Sequence, residues 1–512
     1  MSAEISTPSH PVGQLALHRL FGMDVPLPAV SSYVSSGARK SLAGPFGIEE
    51  RYPSSYGADG TAVGHLRFAL KHEPLDLGVL FRAFTAMGAG PLECWVRAEP
   101  TGAYSRRAWF LYETLTGETL DLAAVRTGNY VSALDERLHF VAAPRNSSRQ
   151  RVRDNLLGTT RLCPTLRRTD RLEQMLRANL AQEARALLEQ YPPETLARAV
   201  SFLYTKETRS SFAIEGEAPS AQREDRFLKA LRGVASFNAA DPKEITRLQQ
   251  VIVDARYAAT GWRTVQNFVA ETTRHFEQQI HFICPKPEDV PDLMDGWCAL
   301  TLRLREGNLD PVLAAAVVAF AFVFIHPFED GNGRIHRFLI HDLLARRGFS
   351  PPGVIFPISV AILRHRQRYE SALDAFSRPL LSAIQWRWTP DGGIAVDNDT
   401  HHLYRFFDAT VQAEYLFEQV AQTIRVDLRQ ELEFLETYDA AYRAVTSVVD
   451  MPNRRAALLV KLFLQNEGRL SKNKRRQFDE ISESELDRME AGIQEILRPE
   501  GRWRRGPDPS ET

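Results

Sequence analysis

Cysteine is scarce. Four residues in 512 (Cys94, Cys163, Cys284 and Cys298) are too few and too scattered for a disulfide framework or a cysteine-rich zinc site. A reducing compartment is expected. Long apolar runs are also lacking. The longest, Val312 to Ile325, has 14 residues, and a bilayer span needs about 20. It reads as a buried core helix. No basic segment followed by an apolar one opens the chain, so no secretory signal is read. A cytoplasmic protein without a membrane partner is expected. Neither charge is in excess, with 63 Lys+Arg against 64 Asp+Glu and a formal net charge of −1. That balance excludes a dedicated polyanion or membrane binder. The 44% hydrophobic and 25% charged content is that of a globular protein, long enough for about three domains.

Residues 1–45, rich in Ser, Pro and Gly, are expected to form a partly ordered lead-in. A mixed module follows over 46–165. In it, 105–115 has helical spacing, and 129–141 reads as two short strands around Asp135 and Glu136. Residues 145–168 carry seven Arg and one Asp, a local +6. They read as a solvated loop or a face docked on another domain, with a nucleic-acid or partner contact as the alternative. From 170 the pattern turns helical. The stretch 171–191 is amphipathic up to Pro192-Pro193. Residues 261–287 suit a hairpin-like excursion, and a new helix is expected near 290–305. The Gly/Asp-rich stretch 389–400 reads as a turn and a boundary, and 395–500 as a helical module. No repeat of solenoid period is seen.

The informative segment is His326-Pro-Phe-Glu-Asp-Gly-Asn-Gly-Arg-Ile-His-Arg337. It links the apolar helix to another helical stretch, 334–349, so it is a loop ending at a helix N-terminus. Gly331 and Gly333 permit close backbone approach and positive φ. Successive N–H groups and the helix dipole make an anion site. Arg334 and Arg337, three apart, share a helix face. Two guanidinium groups beside such a nest point to a polyphosphate. Asp330 is placed to hold Mg²⁺ on phosphate oxygens, and His326 is the proton acceptor.

This segment resembles the signature of the Fic (filamentation induced by cAMP) domain proteins without departure. The resemblance implies a mainly α protein with a Fic-type helical core over 166–390. It also implies transfer of AMP from ATP to a hydroxyl of a target protein. His326 would deprotonate a Tyr, Thr or Ser hydroxyl, and Asp330 would coordinate Mg²⁺. Gly331, Asn332 and Gly333 would form the nest, and Arg334 and Arg337 would hold the β- and γ-phosphates. A β-hairpin flap is implied by 261–269 and 280–287, although the stretch between them is not glycine-rich. Residues 210–217, SSFAIEGE, resemble the family's inhibitory motif on a helix near 205–217. Ser211, Glu215 and Gly216 stand at the matching places. A Glu215 carboxylate on Arg337 would take the γ-phosphate's position. Tyr369, in the helical stretch after the signature, would either stack near the adenine or belong to the core.

In the C-terminal module, 469–476 has five basic residues of eight. It reads as a solvated basic turn in a helical domain, with a winged-helix-like DNA or RNA contact as the alternative. The leading expectation is therefore a Mg²⁺-dependent, ATP-using protein adenylyltransferase restrained by Glu215. Two alternatives stand beside it. One is removal of AMP at the same site. The other is a nucleic-acid- or protein-binding regulator that carries a Fic core. The phosphate nest does not read the base, so UTP or CDP-choline stay open as donors. The target, the oligomeric state and the trigger are not legible.

Overall fold

The computed structural model describes residues 10–44, 47–272 and 278–498. The N-terminal part begins with β1 (His10–Val12), α1 (Gly13–Phe21), β2 (Val30–Ser35), β3 (Lys40–Gly44) and β4 (Gly47–Pro53). These strands form one sheet of order β1-β2-β4-β3, with β2 and β4 parallel and the other neighbours antiparallel. The stretch expected as a lead-in is thus built into a sheet from His10 onward. Four helices follow: α2 (Ala62–His72), α3 (Leu77–Met87), α4 (Ala89–Ala98) and α5 (Ala103–Thr116). A small sheet of β5 (Val131–Ser132), β6 (Arg145–Ser147) and β7 (Val152–Asp154) closes this part.

The strand pair expected over 129–141 is not formed. Only β5 is a strand, and it pairs in parallel with β7. Residues 135–139 are a turn instead, in which the Asp135 carbonyl accepts from both Leu138 and His139. A short side-chain bridge from Arg137 to the Asp135 carboxylate fixes it.

The helical part comprises α6 (Asp170–Arg177), α7 (Leu180–Leu188), α8 (Pro193–Ile214), α9 (Ala221–Arg232) and α10 (Pro242–Ile252). The amphipathic stretch 171–191 is two helices, because Asn179 turns left-handed at φ 45°. After α10 come the hairpin β8 (Phe268–Thr272) and β9 (Gln278–Ile283), then α11 (Val290–Glu306), α12 (Pro311–Ile325) and α13 (Asn332–Arg346). The hairpin is antiparallel with a register irregularity at Val269/Ala270. Its connecting residues 273–277 lie outside the described residues. Next are α14 (Ile358–Arg364), α15 (Arg366–Leu380), and the strands β10 (Trp386–Trp388) and β11 (Ile394–Val396). The Gly/Asp-rich turn near 390 therefore closes a second small hairpin.

The last described elements are α16 (His401–Arg405), α17 (Thr410–Gln422), α18 (Arg429–Val448), α19 (Asn453–Gln465), α20 (Lys472–Arg475) and α21 (Glu483–Ile496). Residues on α16, α17 and early α18 join the same apolar cluster as the parts before 390, which runs from Leu17 to Leu435. A separate cluster spans Ala441 to Ile493. The fold is mainly helical with small sheets.

α12 is the central element. Asp310 caps it by accepting from the Val312 and Leu313 N–H groups, and Pro311 occupies its first turn. With no charged residue in its body, every residue from Val312 to Ile325 is buried, against α11, α13 and α17. No helix among the described residues is long and apolar enough to cross a membrane.

The seven-arginine stretch 145–168 is a docking face in large part. Arg149 pairs with Glu113 at 3.4 Å. Arg161 reaches Asp292 (3.1 Å) and Asp295 on α11, and Arg167 pairs with Asp408, just before α17.

Candidate active site

α12 ends at His326, which adopts a left-handed conformation (φ 52°) as its C-cap. That conformation is costly for a residue with a β-carbon, so the surroundings must hold it. The ring opens onto a small cavity lined by Glu215, Glu329, Asp330 and the Gly331–Arg334 segment. Its Nδ1 faces the Val323 carbonyl at 3.3 Å. A carbonyl only accepts, so Nδ1 carries the proton of the neutral ring and Nε2 keeps its lone pair. Enclosure by protein pushes the His326 pKa down to about 4. The Arg263 cation adds to this, and Glu215 and Asp330 oppose it. The imidazole is neutral at pH 7 and ready to accept a proton.

The loop after His326 is held by its own side chains. Asn332 accepts from the Phe328 N–H (3.1 Å) and donates to the Phe328 carbonyl (2.8 Å). Asn332 thus staples the loop shut across four residues. Gly331 is the N-cap of α13 with φ 93°, a conformation that favours glycine. Gly333 is helical, and its reason is space, as the carboxylate of Glu215 lies where a β-carbon would be. Asp330 accepts on Oδ1 from the Gly331 N–H (2.6 Å) and from Arg334 (2.9 Å).

Arg334 and Arg337 are each 1% exposed. Both guanidinium groups meet the end of α8. Arg337 donates through Nε to Ser211 Oγ (2.9 Å) and through Nη2 to the Ser211 carbonyl (2.7 Å). The same Nη2 lies 2.8 Å from Glu215 Oε1. Burial opposes ionisation of Glu215, but the Arg337 and Arg334 cations outweigh it and hold its carboxyl below the ordinary range. Gly216, at φ 71°, ends the helix in a left-handed turn. Its N–H donates to the Ala213 carbonyl and that of Glu217 to the Phe212 carbonyl, the paired closure of a Schellman motif.

α8 itself is fixed to the core through Glu207, which is buried. Glu207 accepts from the Ser359 N–H (2.8 Å) and Oγ (2.5 Å) at the start of α14, and from His341 on α13 (2.8 Å). Ser211, Glu215 and Gly216, the residues that resemble an inhibitory motif, are therefore brought together with the His326–Arg337 loop, although more than a hundred residues separate them in sequence.

Two further residues serve the site without having stood out in the sequence. Arg263, 4% exposed, donates to the carbonyls of His326 (2.8 Å), Val265 (2.9 Å) and Pro285 (2.5 Å). Its own N–H donates to the Pro327 carbonyl. One guanidinium thereby joins both stems of the β8–β9 hairpin to the His326 turn. Gln249 on α10 donates to the Asp330 carbonyl (3.2 Å) and braces the loop from the opposite side. An arginine between turn residues carries no signal of burial, so neither role was legible from spacing.

Tyr369 is buried, with its ring 6.0 Å from those of His336 and Tyr415. It backs Arg337 within the core. Far from the site, the basic stretch 469–476 is partly neutralised. Arg475 pairs with Glu483 (2.7 Å), Asp487 (2.8 Å) and Glu490 (2.6 Å) on α21. Among the described residues no cluster of three or more His, Cys, Asp or Glu could hold a metal.

Residues 239–344 match the Fic/DOC family. The protein adenylyltransferase Fic of Nematostella vectensis is 34% identical over 93 residues, covering 18% of this chain and 19% of that protein. The protein adenylyltransferase fic-1 of Caenorhabditis elegans is 32% identical over 96 residues, 19% of this chain and 16% of that protein. The chain thus spans under a fifth of the length of these curated relatives. A solved Fic family protein from Desulfovibrio desulfuricans G20 overlays with a TM-score of 0.38 at 19% identity, covering 58% of this chain and 88% of that one.

Proposed function

We propose that the Fic domain carried by this chain is a protein adenylyltransferase that moves AMP from ATP to a Tyr, Thr or Ser hydroxyl of a target protein or of itself. The observation that carries this reading is a neutral His326 sharing one cavity with the Asp330–Arg334 loop and the N-terminus of α13. The hydroxyl oxygen attacks the α-phosphorus in line and its proton passes to His326 Nε2. Pyrophosphate leaves, stabilised by the α13 N-terminus, Arg334 and Arg337.

Asp330 fits Mg²⁺, an ion that binds through one or two carboxylates plus substrate phosphates and keeps its waters. Both of the Asp330 hydrogen bonds above fall on Oδ1. The ion, arriving with the nucleotide, would offset phosphate charge. Glu215 restrains the site, because its carboxylate stands on the nest and on Arg337 together. The four cysteines are all free, which fits the cytoplasmic location proposed with this activity.

The test is labelling by ATP carrying radioactive α-phosphate. Transfer to protein by the Glu215→Gly variant that disappears in Glu215→Gly/His326→Ala supports the reading, and labelling that persists without His326 sinks it. One observation favours a second reading. Glu215 lines the same cavity as His326, where it is placed to orient water for removal of AMP. Modified target given to wild type and to Glu215→Gly separates the two.

A further inference from the structure

The resemblance to an inhibitory motif ends at Gly216, but the contacts do not. Glu217, one residue on, pairs with Arg334: Oε1 lies 2.8 Å from Nη2 and Oε2 accepts from Nη1 at 3.2 Å. Arg334 is otherwise met by Asp330 from its own loop. Each guanidinium assigned to the nucleotide phosphates is therefore already covered by a carboxylate from the end of α8. Glu215 covers Arg337, and Glu217 covers Arg334.

The chain geometry explains why two carboxylates arrive. Glu215 is the C-cap of α8, Gly216 makes the left-handed turn, and Glu217 is the residue whose N–H closes the Schellman motif on the Phe212 carbonyl at 3.1 Å. The reversal at Gly216 presents the residues on either side of it to the α13 arginines. Glu217 is also held from behind. Arg223 on α9 donates to Glu217 Oε2 at 2.7 Å and to the Ile252 carbonyl at the end of α10. Both cations also lie over the buried Phe212 ring, with the Arg223 and Arg334 guanidinium carbons 5.1 and 5.2 Å from its centroid. Such cation–π contacts keep both cations facing the shared carboxylate.

We propose that Glu217 is a second inhibitory carboxylate, which competes with nucleotide phosphate for Arg334 as Glu215 competes for Arg337. The inference rests on the adenylyltransferase reading for the role of Arg334. It adds that removing Glu215 alone leaves one phosphate arginine engaged. Full release requires the Gly216 turn to leave the site as a unit, carrying both carboxylates.

The experiment is calorimetric titration of the full chain with Mg·ATP, for wild type, Glu215→Gly, Glu217→Gln and the double variant, with a thermal melt of each. Glu217→Gln is expected to tighten binding about fivefold over wild type, and the double variant about fivefold over Glu215→Gly. That is the fold-change appropriate to one partly exposed charge contact. A double variant that binds no tighter than Glu215→Gly overturns the role of Glu217 and leaves the nucleotide site standing. Failure of Glu215→Gly itself to bind Mg·ATP overturns both. Should Glu217→Gln melt much earlier than wild type, Glu217→Asp keeps the charge and shortens its reach. It is expected to bind between wild type and Glu217→Gln, and wild-type affinity from a well-folded Glu217→Asp counts against the proposal.

Discussion

The Glu215 carboxylate rests on Gly333: a β-carbon added to that glycine would lie 2.2 Å from Oε1 and 3.3 Å from Arg337 Nη1. The same anion therefore sits against Gly333 at the start of α13 and engages Arg337. On the function proposed above, a phosphate group would need the same donors, and it cannot share so small a volume with this carboxylate.

From this contact, Glu215→Gly is expected to raise self-modification severalfold, measured by incorporation of radioactive α-phosphate from ATP. Unchanged or reduced incorporation would show that the carboxylate is not inhibitory. Reduced release of AMP from a modified target would instead favour the hydrolytic reading.

His326→Ala is expected to lower transfer by at least about 100-fold in the Glu215→Gly background, in line with loss of a general base. Mg·ATP affinity should hold within about threefold, because the residues proposed to hold phosphate lie on the α13 side of the loop. A matching loss of affinity would assign His326 to binding rather than proton transfer.

The pH dependence has a defined sign. The base acts unprotonated, and the His326 pKa is pushed down to about 4 from the ordinary 6.5. Activity is then retained as the pH falls through 6.5 and is lost only on approach to 4. In Glu215→Gly an anion that raised this pKa is gone, which moves the limb further down. Initial rates between pH 5 and 8 at saturating Mg·ATP check this, and half-loss near 6.5 contradicts the enclosed-ring geometry.

Arg263→Met is expected to lower stability by about 2 kcal/mol or more, since it strands carbonyls that a buried guanidinium now satisfies. Urea unfolding followed by circular dichroism measures this. Arg263→Lys, with one ammonium in place of the planar fork, should recover part of the stability. It should recover less of the transfer rate, as the His326 carbonyl and both hairpin stems no longer share one rigid donor.

The C-terminal module is not expected to bind duplex DNA. α21 carries Glu483, Glu485, Asp487, Glu490 and Glu495 against Arg488 alone, and Arg475 is already held by three of these acids. Phosphates would meet like charge along that helix. A mobility shift with the full chain at about 50 mM salt, where electrostatic contacts are strongest, tests this. A retarded band that fades as salt rises would revive the alternative reading.

Much of the site is legible in residue order because its parts are local. The spacing from His326 to Arg337 fixes a loop, a helix start and one cationic face, all within a dozen residues. The apolar run ahead of it has no charged position, so it is buried whatever surrounds it. The resemblance of 210–217 to an inhibitory motif names Glu215, but its reach to Arg337 depends on α8 being anchored through Glu207 to His341 and Ser359. Those partners lie far along the chain. The strands expected over 129–141 failed for a related reason. Alternating side chains were outweighed by the Asp135 turn and by pairing with the distant β7.

The sequence by itself determined the glycine loop, the histidine at its head and the buried helix that delivers it, since each follows from neighbouring residues and backbone geometry. Tertiary structure alone decided which charges meet. It placed Glu217 on Arg334 and Arg263 beneath His326, and it turned the arginines of 145–168 toward Glu113, Asp292 and Asp408. Ion pairs and buried hydrogen bonds join residues through space, and their partners are set only when helices pack.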